Sequence, residues 1–362
     1  MFNDIYRNRR VFITGHTGFK GSWLSAWLLR LGAVISGYSL NVPTEPSAFN
    51  ALGLATQIAD LRGDVRDRHK LGEALASQQS EIIFHLAAQP LVRESYADPV
   101  TTFETNILGV MNILEEARKV KNVKAIVIIT SDKCYRNEEW VFGYRETDRL
   151  GGYDPYSASK GCAELIAHSY FRSFYETGAA CATARAGNVI GGGDWAKDRI
   201  VPDCARAWAA HEPVEIRSPQ ATRPWQHVLE PLSGYLCLGS HLLGLDATIR
   251  GQSYNFGPPQ DARNTVAEVV AGLERHWPSF EAIADNAQGP RECGLLKLCC
   301  DKALAQLDWK AALNFEETIR YTAEWYARYY AQNPAPDMWS FTQGQIAAYE
   351  NTARERNLTW AR

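Results

Sequence analysis

The sequence predicts an α/β protein: a doubly wound, Rossmann-type parallel sheet with a smaller mixed α/β C-terminal domain. Three observations carry this. Four short apolar runs in the first half, RVFITG (10–15), AVISGYSL (33–40), EIIFHLAA (81–88) and VKAIVIIT (123–130), alternate with segments of helical spacing. Unbroken apolar runs of that length are strands buried on both faces, which requires a parallel sheet covered by helices. A glycine-rich turn joins the first run directly to the first helical segment, as in dinucleotide-binding sheets. At 362 residues the chain has room for one large α/β unit and a smaller one.

Taken in order, the first strand ends at Thr14 and GSWLSAWLLRL (21–31) carries apolar residues at helical spacing. Between the third and fourth apolar runs, DPVTTFETNILGVMNILEEARKV (98–120) reads as an amphipathic helix. After residue 186 the rhythm changes: a glycine-rich GNVIGGGDW (187–195), a polar loop RSPQATRPWQHV (217–228), an apolar helix near 228–244, and a short strand SYNFGPP (253–259). Further helices are expected at 263–275, 301–308 and 314–331. The expected division is a dinucleotide-binding domain over 1–186 and a mainly substrate-binding domain over 187–362, with some later segments returning to the sheet.

Composition narrows the function classes. A net charge of -3 provides no basic field, so nucleic acid is not an expected partner. Eight scattered cysteines form no CxxC pair and no histidine cluster has zinc spacing, so no metal is expected, and reduced thiols suit a cytoplasmic protein. The opening MFNDIYRNRR has no apolar segment behind it, unlike a signal peptide, and no stretch approaches the ~20 apolar residues of a membrane span.

The turn FITGHTGFKGSW spaces Gly15, Gly18 and Gly21 as GxxGxxG, with Phe19 and Lys20 inside it. Glycines permit the tight turn and let a diphosphate approach the helix N-terminus. The end of the second strand offers Tyr38, Ser39, Leu40 and Asn41, with no acid for a ribose and no cation for a 2′-phosphate. Ser39 or Asn41 is the candidate ribose partner, and NAD the expected cofactor. In GDVRD (63–67), Asp64 either meets the adenine amine, with Val65 against the ring, or caps the next helix.

In YDPYSASKGCAEL, Asp154 and Pro155 signal a helix start. Tyr156 then falls in the first turn and Lys160 four residues on, on the same face. A phenol of pKa ~10 is a poor base. The neighbouring ammonium and the helix N-terminus are expected to lower it, so that Tyr156 takes a proton from a substrate alcohol.

The combination GHTGFKG, HLAAQ, TSDK and YSASK resembles the extended short-chain dehydrogenase/reductase (NAD-dependent epimerase/dehydratase) family over essentially the whole chain. The longer motifs, PTEPSAF (43–49), SDKCY (131–135), GYRETDRLGGYDPYSASKGCAEL (143–165), GNVIGGGDW (187–195) and RPWQHVLEPLSGYL (223–236), are similar to those of its 4,6-dehydratases that act on CDP-glucose. One departure lies at LLKLCCDKAL, where the family usually has an acid near Cys299.

The resemblance implies oxidation of a nucleotide-linked hexose at carbon 4, loss of water across carbons 5 and 6, and hydride return to carbon 6. The product is a 4-keto-6-deoxy sugar, an entry to the deoxysugars of bacterial surface polysaccharides such as O-antigen. The resemblance also implies that Ala87, Ala88 and Gln89 lie beside the cofactor, with Lys160 on its nicotinamide ribose. Relatives form dimers through two long helices, here 99–119 and 155–177, so a homodimer or homotetramer is expected.

Elimination needs a base for carbon 5 and an acid for the leaving hydroxyl. Related dTDP-glucose dehydratases carry Thr-Asp-Glu where this chain has Ser131, Asp132 and Lys133. Ser131 maps onto the group bonding the carbon 4 oxygen, Asp132 onto the acid, and Lys133 replaces the base. A lysine base must be neutral and Asp132 protonated, so both are expected in a dry site with side chains that diverge. For the substrate diphosphate the candidates are Arg199 and Arg223, with Arg93 towards the sugar, and Gln89 and Asn188 for sugar hydroxyls. Trp195 and Trp225 either wall the pocket or pack in the core. The rival readings are a sugar-nucleotide 4-epimerase or 4-reductase, which needs no Asp-Lys pair, and a non-catalytic NAD-binding scaffold.

Overall fold

The computed structural model describes residues 1–216, 218–244, 246–259, 264–277, 282–284, 295–331 and 337–362. The main sheet has seven strands: β1 (Arg10–Thr14), β2 (Val34–Ser39), β3 (Ala59–Arg62), β4 (Ile82–His85), β5 (Ala125–Ile129), β6 (Ala180–Ala186) and, later in the chain, β10 (Ser253–Phe256). Their order across the sheet is β10-β6-β5-β4-β1-β2-β3, and every pairing is parallel. The order reverses at β1 and β4, and ligands bind beyond the carboxyl ends of strands at such a point.

Burial explains the unbroken apolar strands. In β5, Ala125, Val127 and Ile129 join one apolar cluster, while Ile126 and Ile128 join a second on the opposite face. Each such isoleucine contributes about 1.5–3 kcal/mol when fully buried. The helix Leu229–Leu243 covers the first face, and the helices Arg68–Gln78, Gly109–Ala117 and Pro155–Phe174 cover the second.

The expected return of a late segment to the sheet takes place at β10, which pairs with β6 from Ser253↔Thr183 to Phe256↔Ala186. Two small parallel pairs lie outside the sheet: β7 (Val189–Ile190) with β9 (Gln226–His227), and β8 (Val214–Ile216) with β11 (Ala282–Ala284). The expected helices at 301–308 and 314–331 are present as Asp301–Leu307 and Phe315–Tyr330. That at 263–275 is present as Val266–Glu274, its first expected residue lying outside the described residues.

Among the helices not anticipated, two are long. Ile200–Ala210 contains Pro202, tolerated because it sits in the first turn, and Met338–Glu355 buries only a narrow stripe that includes Ile346, Tyr349 and Ala353. Trp195 packs among Trp325, Tyr326 and Tyr329 and donates to the Tyr330 hydroxyl, so it belongs to the core. Trp225 is also buried and donates to the Asn264 carbonyl.

A buried carboxyl holds the C-terminal part together. Glu230 accepts from the backbone N–H groups of Ala312 and Leu313 and from the Tyr349 hydroxyl. Burial outweighs those donors and pushes its pKa up to about 7. Between the ordinary carboxylate value and about 7 the folded chain therefore keeps a proton that the unfolded chain releases. Stability falls as pH rises through that window, by about 3 kcal/mol for a shift of this size. The prediction is that Glu230→Gln gains melting temperature relative to the native chain between pH 5 and pH 8. Thermal unfolding followed by circular dichroism reads this, and a difference that does not change with pH contradicts it.

Candidate active site

The glycine turn is built for close approach. Gly15 has φ +75°, and a Cβ there would lie 2.7 Å from the Ala87 nitrogen; one on Gly21 would lie 2.1 Å from the Gly15 carbonyl oxygen. The helix Phe19–Arg30 starts at Gly18, and no side chain caps it. Its first-turn N–H groups are thus left for an anion. This cradle fits a dinucleotide diphosphate.

Around it the structure sharpens several expectations. Ser39 is not a free ribose partner, since its hydroxyl is hydrogen-bonded to His16 Nδ1 at 2.9 Å. His16 Nε2 in turn meets Asp60 of β3 at 2.8 Å, and Arg62 donates to Asp60 at 2.7 Å. Asp60 of the neighbouring strand, opposite Gly37, thus holds His16 and through it Ser39.

Asp64 does not cap the next helix; Asp67 does, accepting from Lys70 N. The Asp64 carboxylate instead binds Arg66, and its pKa is lowered, burial opposing and Arg66 prevailing. Val65 is buried, with its carbonyl held by Asn112. Ala87 N donates to the Thr14 hydroxyl oxygen at 3.2 Å and Ala88 follows it, just beyond the end of β4. The Gln89 amide is committed internally, donating to Leu91 O and Thr102 and accepting from Leu91 N, so its side chain acts as a strut and its role at sugar hydroxyls is not supported. Asn106 sits in a π-turn, Glu104–Leu108, and bonds both Gln89 O and Ser159. π-turns often mark functional positions, and this one was hidden inside an ordinary amphipathic pattern.

The catalytic candidates converge beyond β5. Asp154 caps the helix Pro155–Phe174 by accepting from Ser157 N at 2.8 Å, with Pro155 as its first residue, which sets Tyr156 and Lys160 on the buried face. The Lys160 nitrogen lies 6.0 Å from the centre of the Tyr156 ring. On the other side, Ser131 caps the short turn Asp132–Cys134, accepting from Lys133 N at 3.2 Å and donating to Asp132 Oδ1 at 2.9 Å. Asp132 Oδ2 is buried without a hydrogen-bond partner. Lys133 acts on Asp132 through its charge and its backbone N–H, and no side-chain ion pair between the two is formed among the described residues.

Burial dominates the electrostatics. It raises Asp132 above the usual carboxylate range, with Lys133 and then Ser131 opposing. It pushes Lys160 down to about 8. It also raises Tyr156 to about 12, only partly offset by the Ser131 hydroxyl and Arg199. The expected lowering of Tyr156 by Lys160 is therefore corrected: desolvation of the phenol outweighs a lysine whose own charge is disfavoured.

Lys20 is the residue whose place was least legible. It is half-buried, and burial, with Arg199 next, pushes its amine down to about 8; its other electrostatic neighbours are Asp132, Lys160 and Asp194. It therefore reaches the reacting end. Arg199 donates to Asp194 at 2.8 Å and faces Tyr156. Arg93 donates to Asp198 at 2.9 Å, tying the helix Val92–Ala97 to the segment before Ile200–Ala210. Arg223 donates to its neighbour's carbonyl, Thr222 O. Asn188 lies between β6 and β7, its carbonyl accepting from Gln226 N.

Residues 12–322 match the model of the GDP-mannose 4,6 dehydratase family. The chain belongs to this family. It is 47% identical over 330 residues to a CDP-glucose 4,6-dehydratase of Salmonella typhimurium, covering 89% of this chain and 92% of that protein. It is 25% identical to a probable dTDP-glucose 4,6-dehydratase of Sinorhizobium fredii, over 88% of this chain and 92% of the relative. Among solved structures, it is similar to a dTDP-glucose 4,6-dehydratase of Streptomyces venezuelae with NAD bound (TM-score 0.73, 21% identity, 88% and 97% of the two chains). It is equally similar to a UDP-glucuronic acid 4-epimerase of Bacillus cereus with UDP-glucuronic acid and NAD (TM-score 0.73, 19% identity, 88% and 99%). The fold of this dehydratase family member is thus shared with epimerases, and the fold does not choose between the two reactions.

The cradle makes a direct prediction. Gly21→Ala places a methyl group against Gly15 and must displace the turn, so NAD affinity falls about tenfold or more while the chain stays folded. Calorimetric titration alongside circular dichroism checks it; an unchanged Kd contradicts the cradle.

Proposed function

We propose that this chain is a CDP-glucose 4,6-dehydratase, converting CDP-glucose to CDP-4-keto-6-deoxyglucose with NAD as a regenerated cofactor. The observation that carries the reading over an epimerase is Asp132. A buried acid with a raised pKa and one unpartnered oxygen, beside Ser131 and across from Tyr156, serves the departure of a hydroxyl and nothing in a simple oxidation. The 47% identity to the Salmonella CDP-glucose enzyme supports the nucleotide and sugar.

When bound, NAD would supply a hydride acceptor for carbon 4 and the hydride donor for carbon 6. Gly15, Gly18 and Gly21 admit its diphosphate to the uncapped helix start, with Phe19 and Lys20 in that first turn. Asp64, Val65, Ala87 and Ala88 border the cofactor's path along the strand ends. Tyr156 receives the carbon 4 hydroxyl proton, Lys160 supports it, and Ser131 bonds the carbon 4 oxygen. Lys133 removes the carbon 5 proton, made acidic by the new ketone, and later returns it there. Asp132 protonates the carbon 6 hydroxyl as it leaves. Arg199 and Arg223 supply cations for the diphosphate end of the substrate, and Arg93 faces the sugar, with Asn188 for its hydroxyls; the arginines' present bonds to Asp194, Thr222 and Asp198 are exchanged for these.

The division into a cofactor-binding 1–186 and a substrate-binding 187–362 belongs to the same reading. So does assembly through the two long helices, supported by the exposed apolar residues Val100, Leu108, Leu165 and Phe174 on them. No helix among the described residues is long and apolar enough to cross a membrane, and the described cysteines are all free thiols, which supports a cytoplasmic setting.

With a panel of CDP-, dTDP-, UDP- and GDP-glucose and NAD, only CDP-glucose should give strong near-ultraviolet absorbance of a 4-keto-6-deoxy sugar in base. A clear signal with another nucleotide and none with CDP-glucose rejects the substrate. Lys133→Ala should still reduce NAD at carbon 4 yet lose dehydration by about a hundredfold or more; normal turnover by that variant removes Lys133 as the base.

A further inference from the structure

We propose that Thr130 and Glu164 are positioning residues for the dehydration step: their hydrogen bond sets the short turn Asp132–Cys134 at the distance from the Tyr156–Lys160 helix that one hexose spans. This role rests on the dehydratase reading above and deepens it, because it assigns how two separate elements act in register on the same sugar.

The reaction divides between those elements. Oxidation at carbon 4 draws chiefly on the helix Pro155–Phe174, through Tyr156 and Lys160. Loss of water draws on the turn, through Asp132 at the carbon 6 oxygen and Lys133 at carbon 5. Covalent bonds fix the spacing of those atoms in the sugar, so the protein has to match it. Reacting groups have to be held within about 0.5 Å of productive geometry by the bonds that support them.

Glu164 is placed to give that support. It is fully buried, one helical turn beyond Lys160. One carboxylate oxygen, Oε2, is taken by the sheet: Arg185 donates to it at 2.8 Å, and the Thr183 and Ser253 hydroxyls stand at 2.9 and 3.1 Å. Those residues lie on β6 and β10. The other oxygen, Oε1, accepts from the hydroxyl of Thr130, which follows β5 and precedes Ser131. Thr130 N donates to Ala184 O at 2.9 Å, so its backbone belongs to the sheet and its side chain carries the tie across to the helix. The same carbonyl lies 3.5 Å from the Thr130 hydroxyl, a poor substitute for the carboxylate. Where the helix passes the turn, at Gly161, a Cβ would stand 3.1 Å from Gly151 N and 3.3 Å from Cys134 O. Gly161 thus limits how closely helix and turn approach, and the Thr130–Glu164 bond limits how far they part.

A merely structural pair would slow every step alike when cut. A positioning pair acts on the step that needs both elements in register. With the turn displaced, oxidation still leaves a ketone at carbon 4 and the hydride on the cofactor. The carbon 5 proton and the carbon 6 hydroxyl then stay in place, and the hydride returns to carbon 4 and restores the hexose.

Thr130→Val removes the hydroxyl, keeps the shape and leaves the Glu164–Arg185 pair intact. Single-turnover mixing of CDP-glucose with the NAD-loaded protein reads both steps in one trace, since reduced-cofactor absorbance rises with oxidation and falls as the hydride reaches carbon 6. In Thr130→Val the formation of 4-keto-6-deoxy product, followed in quenched samples, should slow at least about tenfold more than the rise. Thr130→Ser, which keeps the hydroxyl, should restore it. The ligand-free chain gives a second readout in amide hydrogen exchange at Cys134 and Tyr135, whose N–H groups donate to Ser131 O and Asp132 O. Exchange there should be faster in Thr130→Val and native in Thr130→Ser. Equal slowing of rise and product formation, native kinetics in Thr130→Val, or unaltered exchange at both amides overturns the positioning role and leaves the dehydratase reading intact. Failure of the native protein to make a 4-keto-6-deoxy product from any nucleotide hexose overturns both.

Discussion

The catalytic turn rests on one buried ion pair, Glu164 with Arg185. Glu164 lies one helical turn beyond Lys160 and is fully buried; Arg185, on β6, is 1% exposed and meets it at 2.8 Å. Burial works against the carboxylate, yet Arg185 prevails and holds Glu164 down to about 2. Thr130, immediately before Ser131, donates to one Glu164 oxygen, while Thr183 and Ser253 donate to the other. Arg185 also donates to the Tyr135 hydroxyl, which donates to Asn255, and Asn255 holds the carbonyls of Tyr144 and Cys299. The network therefore fixes both ends of the Ser131–Cys134 turn to the helix carrying Tyr156 and Lys160. Removing one member leaves a buried charge unpaired, a cost of about 3–5 kcal/mol. Cys299 enters this frame through its backbone carbonyl, so the identity of its side chain leaves the frame whole.

Above that floor, exclusion of water assigns the roles. The same desolvation raises Asp132 and Tyr156 and lowers Lys160 and Lys20. Each group is moved towards its neutral form, and neutral groups in contact can exchange protons where ion pairs would hold them. The alternative for Asp132 and Lys133, a mutual salt bridge, would have fixed both in the useless state. Their divergence leaves one Asp132 oxygen on Ser131 and the other buried without a hydrogen-bond partner.

The sheet was legible because buried parallel strands read as unbroken apolar runs, and β5 with its two-sided burial is the clearest case. The glycine turn and the Asp154–Pro155 helix start were legible because both are local: a few adjacent residues fix the backbone. What could not be read depends on contacts distant in sequence. Asp60 meets His16 from a neighbouring strand, Lys20 is desolvated with Arg199 working against its charge and Asp132 for it, and Gln89 is consumed by Thr102 and Leu91. The Tyr156 shift went the other way because proximity of Lys160 was visible in the spacing and the depth of burial was not. The helix Met338–Glu355 escaped because its polar composition hides a narrow buried stripe.

Since the fold is shared with epimerases, the account stands or falls on where the hydrogen of carbon 4 ends. CDP-glucose carrying deuterium at carbon 4 should give a product whose carbon 6 methyl group holds that one deuterium, read by proton magnetic resonance and mass spectrometry. Deuterium retained at carbon 4, or a methyl group without label, would contradict the central claim that this site oxidises, dehydrates and returns the same hydride.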